Sequence, residues 1–222
     1  MPLSTIGANQ IAAGAIDTTQ LASNAVTNAK LASGAVTAGD LPTGSVLQVV
    51  HIKSLTQYNS TASSGVLDPI NGTITPKKAG STFLISCNIP VNTSDDSDAH
   101  GGNVNAYYYG FFQRKVNSGS YADADNLGST SQGGNNCHIE LTPNRTGNNS
   151  TDYWTGERYR MAHKQTQFLD TPTYNLGDVL TYRMRIQIMT GSYIQIGEPH
   201  GYGTDDSYPC QPWGFVVTEI AG

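Results

Sequence analysis

Two hydrophobic periods divide the chain. Between Ile6 and Val46 an aliphatic residue recurs at every fifth position: Ile6, Ile11, Ile16, Leu21, Val26, Leu31, Val36, Leu41 and Val46. The full unit is ten residues. Its second half opens with Ile or Leu, then Ala or Pro, and closes with Gly or Asn followed by Ala or Ser. Beyond Val46 the period becomes two. Phe83, Ile85, Cys87, Ile89 and Val91 alternate with Leu84, Ser86, Asn88 and Pro90. Leu180, Tyr182, Met184, Ile186 and Ile188 alternate with Thr181, Arg183, Arg185 and Gln187. Successive strand side chains point to opposite faces, so this alternation predicts strands with one face buried.

The five-residue step suits neither regular element. In a helix, five positions at about 100° each carry the aliphatics around the axis instead of along a stripe. In a strand, an odd step alternates faces. A single copy therefore has no continuous face to bury. Disorder is the competing reading for a segment so rich in Ala, Gly, Ser, Thr and Asn. Strict repetition over four units favours layers: parallel copies bring each aliphatic position together at an axis, and small residues between layers allow close approach. Collagen and solenoids follow the same logic, in which one repeat alone is unstable. Three chains are the natural number for a small axial cluster. Residues 1–45 are thus predicted to form a fibrous trimeric stalk, with Ile6, Ile11, Ile16, Leu21, Val26, Leu31, Val36 and Leu41 as its contacts.

Residues 46–222 are predicted to form an all-β head. Besides Thr82–Val91 and Leu180–Ile188, strands are expected at Val46–Lys53, Val66–Thr75, Ala106–Val116, Cys137–Thr142, Gln165–Leu169, Ser192–Ile196 and Trp213–Ile220. Asp68-Pro69, Asn71-Gly72, Ala79-Gly80, Gly133-Gly134, Gly177-Asp178 and Gly191-Ser192 read as turns. Eight or nine short strands suit an antiparallel β-sandwich, jelly roll or small barrel, and no helix is predicted. The aromatic run Tyr107–Phe112 is expected in a central strand, one face in the core and the other against a neighbouring copy.

Composition narrows the function. Twelve Lys and Arg against 17 Asp and Glu give a net charge of −5. Nucleic acid and anionic membranes both call for a basic surface, so neither is an expected partner. No apolar run approaches the roughly 18 residues that span a bilayer, so membrane insertion is not expected. The first residues carry no Lys or Arg before Lys30 and no apolar stretch, unlike a secretory signal. Cys87, Cys137 and Cys210 are too few for a disulfide framework and have no CxxC spacing, although one pair could form. Cys87 lies in an apolar run and reads as a small buried hydrophobe.

Catalytic signatures are absent: there is no GxGxxG, Walker loop, HExxH or GxSxG. His51, His100, His138, His163 and His200 are scattered without metal-ligand spacing. Asp152 and Glu157 lie too close in sequence to argue for a glycosidase carboxylate pair. Asp95-Asp96-Ser97-Asp98 is acidic but lacks the calcium-loop spacing and reads as a solvated turn, as does Asp205-Asp206. Asn-x-Ser/Thr triplets are explained by the abundance of those residues. The chain is expected to be no enzyme and to need no cofactor.

Two aromatic, polar stretches stand out. Asn144–Arg160 holds Tyr153, Trp154, Arg158 and Tyr159, and Gly197–Pro212 holds Tyr202, Asp205 and Tyr208. A sugar's C–H face stacks on an aromatic ring while its hydroxyls pair with Asp, Asn and Arg; similar mixtures make protein-binding loops. Long loops on a rigid sandwich are usual places for such sites. These seven residues are the candidate receptor-binding set, against the alternative that the rings pack under their own loops or at a subunit interface.

The whole chain resembles the appendage proteins of tailed bacteriophages, short fibres with a repeat-bearing stalk and a β head. The resemblance rests on the repeat Ile6–Val46, the junction Gly44–Val50, Ile74-Thr-Pro76, Phe168–Pro172, Leu180–Ile186 and the ending Val217–Gly222. On strand pattern alone, the head looks like trimeric jelly-roll heads of the complement and tumour-necrosis-factor type. The resemblance implies a homotrimeric virion protein, made in the host cytoplasm. Its N-terminal segment would dock on other virion proteins at tail, baseplate, neck or capsid, and its head loops would attach to a bacterial surface glycan or protein. A capsid or neck decoration without receptor binding, and a polysaccharide-cleaving tailspike, are the alternatives. The family's motifs carry no catalytic residues, and the loops at Asn92–Asn105, Pro143–Arg160 and Gly197–Pro212 match none of its motifs.

Overall fold

A computed structural model describes residues 12, 15–17, 19, 21–23, 25–27, 31–60, 65–94, 107–126, 139–141, 162–190, 193–197 and 212–222. Contacts divide the chain into two units, Met1–Asp40 and Leu41–Gly222.

In the first unit the repeat is a series of turns. Ala15 N–H donates to Ala12 O at 3.0 Å, Ala25 to Ala22 at 2.9 Å and Ala35 to Ala32 at 3.0 Å. The spacing is ten residues each time, and Ser45 N–H to Pro42 O at 3.1 Å repeats the bond at the start of the second unit. The third residue of each turn is the Gly-or-Asn position. Gly34 and Gly44 have φ of 78° and 89° there. A tight turn of type II demands positive φ at that place, which Gly supplies without steric cost and Asn tolerates. Polar side chains brace the intervals: Asp40 accepts from the Thr37 amide and hydroxyl at 2.7 Å each, and Asp17 accepts from both groups of Thr19. The Thr37 hydroxyl, and then its amide, hold the Asp40 carboxyl below its ordinary range. Among the described residues of this unit there is no strand, and its only helical piece is the 3-10 turn Ala38–Asp40.

The second unit is all-β, two antiparallel sheets facing each other. In chain order its strands are β1 (Val46–Ser54), β2 (Tyr58–Ser60), β3 (Gly65–Ile74), β4 (Thr82–Ser94), β5 (Tyr107–Val116), β6 (Ala122–Asp123), β7 (Ile139–Glu140), β8 (Ala162–Asp170), β9 (Leu180–Thr190), β10 (Tyr193–Ile196) and β11 (Trp213–Ile220). In the first sheet β4 has β8 along one edge. Its other edge carries β11 and then β10, end to end, with β1 and β2 outside them. In the second sheet the order is β3, β9, β5, with β6 and β7 sharing the far edge of β5. Each sheet is thus four lanes wide.

The core lies between the sheets, where the period-two pattern places it. Phe83, Ile85, Cys87, Ile89 and Val91 of β4 are buried, and so are Leu180, Tyr182, Met184, Ile186 and Ile188 of β9. Trp213, Phe215 and Val217 join them from β11, and Tyr108 and Phe112 from β5. Phe112 meets Phe215 edge-on at 5.2 Å between ring centroids, a favourable geometry for aromatic quadrupoles.

Several local expectations are corrected. Asn71-Gly72 is no turn but lies inside β3, opposite Arg183 and Tyr182. A Cβ at Gly72 would sit 2.5 Å from Ile52 Cγ1, so the glycine admits the isoleucine of the facing sheet. Asp68-Pro69 is likewise inside β3, as a bulge between Leu67 and Ile70. A bulge suits proline, which has no N–H to give the ladder. Pro90 is buried, unlike the half-buried Leu84 and Ser86 and the exposed Asn88. Short β2 and β6 were not predicted, since two or three residues carry no legible period.

Candidate functional site

The register gives the head two ends. Thr82, Leu180, Val116, Asp170, Ile74, Val46 and Ile220 meet at one of them, the proximal end, where the chain enters through Leu41–Ser45. At the other, distal end lie Ser60, Gly65, Ser94, Tyr107, Ala162, Thr190 and Tyr193.

The proximal end is built around two buried carboxylates. Glu219, fully buried, accepts from Gln48 Nε2 at 2.6 Å, Lys77 N–H at 2.8 Å, Lys78 N–H at 3.1 Å and Ser81 Oγ at 2.8 Å. It ties β1 and the connection after β3 to the last strand. The Tyr174 hydroxyl donates to Lys78 O at 2.6 Å and accepts from Ser81 N–H at 2.9 Å, and Lys78 Nζ donates to Leu41 O at 3.0 Å. The entering chain closes the end by exchanging two backbone bonds with the last residues: Gly44 N–H to Ala221 O and Ala221 N–H to Ser45 O, both 2.8 Å.

Asp170, 1% exposed, is the second anchor. Arg114 Nη1 reaches its two oxygens at 2.7 and 2.8 Å, Tyr182 OH donates at 2.7 Å and Asp125 N–H at 2.9 Å. Burial, with the Asp170 charge added, pushes the Tyr182 phenol far above its usual range, so it stays a donor. A buried carboxylate is tolerable only when its lone pairs are filled by donors, and both are. These clusters are structural. Sequence reasoning missed them, although Glu219 carries a legible sign: it continues the inward series Trp213, Phe215, Val217.

The distal end carries the strand termini that flank residues 95–106 and 142–161. The break at 198–211 falls between β10 and β11 in the same half, opposite Ile89 and Pro90. The candidate receptor residues Tyr153, Trp154, Arg158, Tyr159, Tyr202, Asp205 and Tyr208 lie outside the described residues, as do Asp95–Asp98, Cys137, Cys210, Ile6 and Ile11. Of the other stalk positions, Ile16, Leu21, Val26, Leu31 and Val36 are 44–58% exposed, and Leu41 is half-buried.

Cys87 is a free thiol in the core, pushed up to about 11 by burial, with a hydrogen bond from the Thr166 backbone opposing. Such a thiol is a packing group and no nucleophile at neutral pH. An open depression lies over Ser86, Gln165 and Gln167 of this sheet. No described helix is long and apolar enough to cross a membrane.

The outer faces of the sheets differ. On the first, the register aligns Val49, Thr218, Leu84 and Leu169 in one row across all four lanes. Val49 and Leu169 are 59% and 53% exposed, and Val46 stands exposed beside them. On the second, charge and aromatics mix: Arg183, Arg185, Gln187, Gln113, Lys115 and Phe111.

No family model matches this chain, and no curated protein matches it.

Proposed function

We propose that the chain is a non-enzymatic virion appendage of the tailed-phage type, a homotrimer mounted through its N-terminal repeat and attaching to a host surface through its head. The observation that carries the reading is the exposure of Ile16, Leu21, Val26, Leu31 and Val36. Five large apolar side chains at regular spacing, each about half in water, cost a single copy the burial that an axial layer of identical copies would supply. The repeated turn makes this regular: the turns at 12–15, 22–25 and 32–35 each precede an exposed aliphatic, Ile16, Val26 and Val36.

The head supports the reading in three ways. Its lanes run β1, β11, β4, β8 and β3, β9, β5, β6/β7, the strand order of a jelly roll made of two Greek keys. The apolar row Val49–Thr218–Leu84–Leu169 offers a second face for identical copies. Val46, the last of the five-step series, belongs to that same face. And the chain enters at the end opposite the strand termini that flank Asn144–Arg160, so a mounted appendage would keep those sequences toward the host. Multivalency then makes weak sites sufficient, raising avidity by about 10²–10⁴ when several heads engage together.

The test is twofold. Sedimentation of the full chain at micromolar concentration is expected to give a trimer, and purified protein is expected to bind host cells with loss on Trp154→Ala plus Tyr208→Ala. A monomer would overturn the stalk. Particles that adsorb normally without this protein would favour a decoration role, and release of reducing ends from host polysaccharide would favour an enzyme.

A further inference from the structure

We propose that the outer face of the second sheet holds a shallow site for an anionic sugar, centred on Arg185. The inference rests on the attachment reading and names the ligand class.

Three arginines fall within the described residues, and two have a carboxylate partner. Arg114 grips Asp170 through Nη1, with its Nε buried and unpaired. Arg183 bonds Asp68 at 2.9 Å, donates twice to Gln113 Oε1 at 3.1 and 2.7 Å, and stacks 3.7 Å from the centre of the Tyr121 ring. Arg185, two residues on and on the same face, has no carboxylate and no hydrogen-bond acceptor among the described residues, and its Nε is buried without a partner. A cation drawn partly out of water and left unneutralised carries a desolvation cost that an incoming anion relieves. A guanidinium also offers a planar fork that matches a carboxylate or a phosphate with two parallel bonds.

The surroundings select a sugar. Phe111 on β5 is the direct cross-strand partner of Arg185, close enough for the two side chains to touch. Tyr109 and Gln187 form the next pair on the same face. Ring surface beside a guanidinium, with a side-chain amide one pair away, is the combination a charged pyranose needs: a C–H face to stack, an acid group to clamp and hydroxyls to pair. The other charges facing this patch are accounted for. Asp68 is held by Arg183, Asp123 accepts from Gln113 Nε2 at 3.0 Å, and Lys115 lies 5.1 Å over Tyr121. One guanidinium beside one ring gives a weak single site, which a multivalent appendage converts into firm attachment.

The experiment titrates the full-length protein with three probes: a glucuronate-containing tetrasaccharide, glucose 6-phosphate and a neutral glucose tetrasaccharide. Binding is read by saturation-transfer NMR. The expected result is at least tenfold preference for an acidic probe, weakening as salt rises. The two acidic arms tell a uronic acid from a phosphosugar. Arg185→Gln should lose at least tenfold of that binding and Phe111→Leu several-fold, while Gln167→Ala on the opposite sheet changes nothing. Should Arg185→Gln misfold, Arg185→Lys keeps the charge but loses the fork and should still lose several-fold. Equal binding of the neutral probe, or unchanged binding by either Arg185 variant, overturns the site. Cell adsorption separates the two claims. Heads that adsorb equally well with Arg185→Gln sink the site and leave attachment standing. Heads that bind the acidic probe but ignore host cells sink attachment and leave the site.

Discussion

The repeat and the head solve the same problem in opposite ways. In the head an apolar residue at every second position meets partners from its own chain, and Met184 and Ile85 end with no exposed surface. In the repeat the described aliphatics at every fifth position find less cover, and Leu21 and Val36 remain 45% and 58% exposed. The difference is geometric, not one of hydrophobicity. A period that matches the pleat lets one sheet cover another. A period that matches no backbone symmetry leaves its side chains half in water within one copy, the surface that the proposed assembly would cover.

The sharpest way to break the comparison is to charge one side of it. Met184→Asp puts a carboxylate between the sheets with no donor in reach, at a cost of roughly 5 kcal/mol. A domain of this size does not survive that, so circular dichroism should report loss of the β head. A native-like spectrum would mean that the inward face of β9 has been assigned wrongly.

Leu21→Asp makes the parallel change in the repeat with a different outcome. The head should melt at its normal temperature, because Leu21 lies in the first unit and the head core does not include it. Association should weaken roughly a thousandfold, about 4 kcal/mol, since like carboxylates would meet in one axial layer. Sedimentation decides it: trimers of normal strength would refute shared layers and leave the exposed aliphatics unexplained.

Glu219→Ala probes the proximal end of the head. Four donors (the Lys77 and Lys78 amides, Ser81 and Gln48) would lose their acceptor in a site closed to solvent. The expected loss is about 3 kcal/mol of head stability in urea titration. Glu219→Gln should lose less, because its amide oxygen still accepts. Equal losses for both would show that charge, and not acceptor geometry, holds this end of the head.

What was legible followed the strength of the local signal. The faces of β4 and β9 could be read because five consecutive alternations leave one orientation that buries them. Asn71-Gly72 misled because it has turn chemistry, whereas the glycine answers to Ile52 on the other sheet, a contact that no local window contains. Asp170 and Glu219 bind donors between 12 and 171 positions away, so their networks exist only after folding. The outward placement of Arg185 was readable from alternation. Its lack of a partner was not, because that depends on Asp68 having been claimed by Arg183. The aromatic candidates, such as Trp154 and Tyr208, are legible as composition alone, since loops of this kind carry no period from which to infer a neighbour.

The finest test of the comparison moves a single methyl group. Gly34 and Gly44 occupy the same place in successive turns, with φ of 78° and 89°, and a Cβ at either would meet nothing within 4 Å. Alanine there is penalised by backbone strain alone, about 1 kcal/mol. The two positions nevertheless answer to different partners. Gly44 N–H is bonded to Ala221 O, so Gly44→Ala should lower the head's melting temperature by about 2–4 °C. Gly34→Ala should leave that temperature alone and weaken only association, about fivefold for each kcal/mol spent in one chain. Gly34→Asn should recover most of the loss, because asparagine tolerates positive φ and the repeat already carries Asn24 at the equivalent place. If Gly34→Ala assembles as tightly as the parent, the turn is incidental to association, and the five-residue spacing has to organise the copies without it.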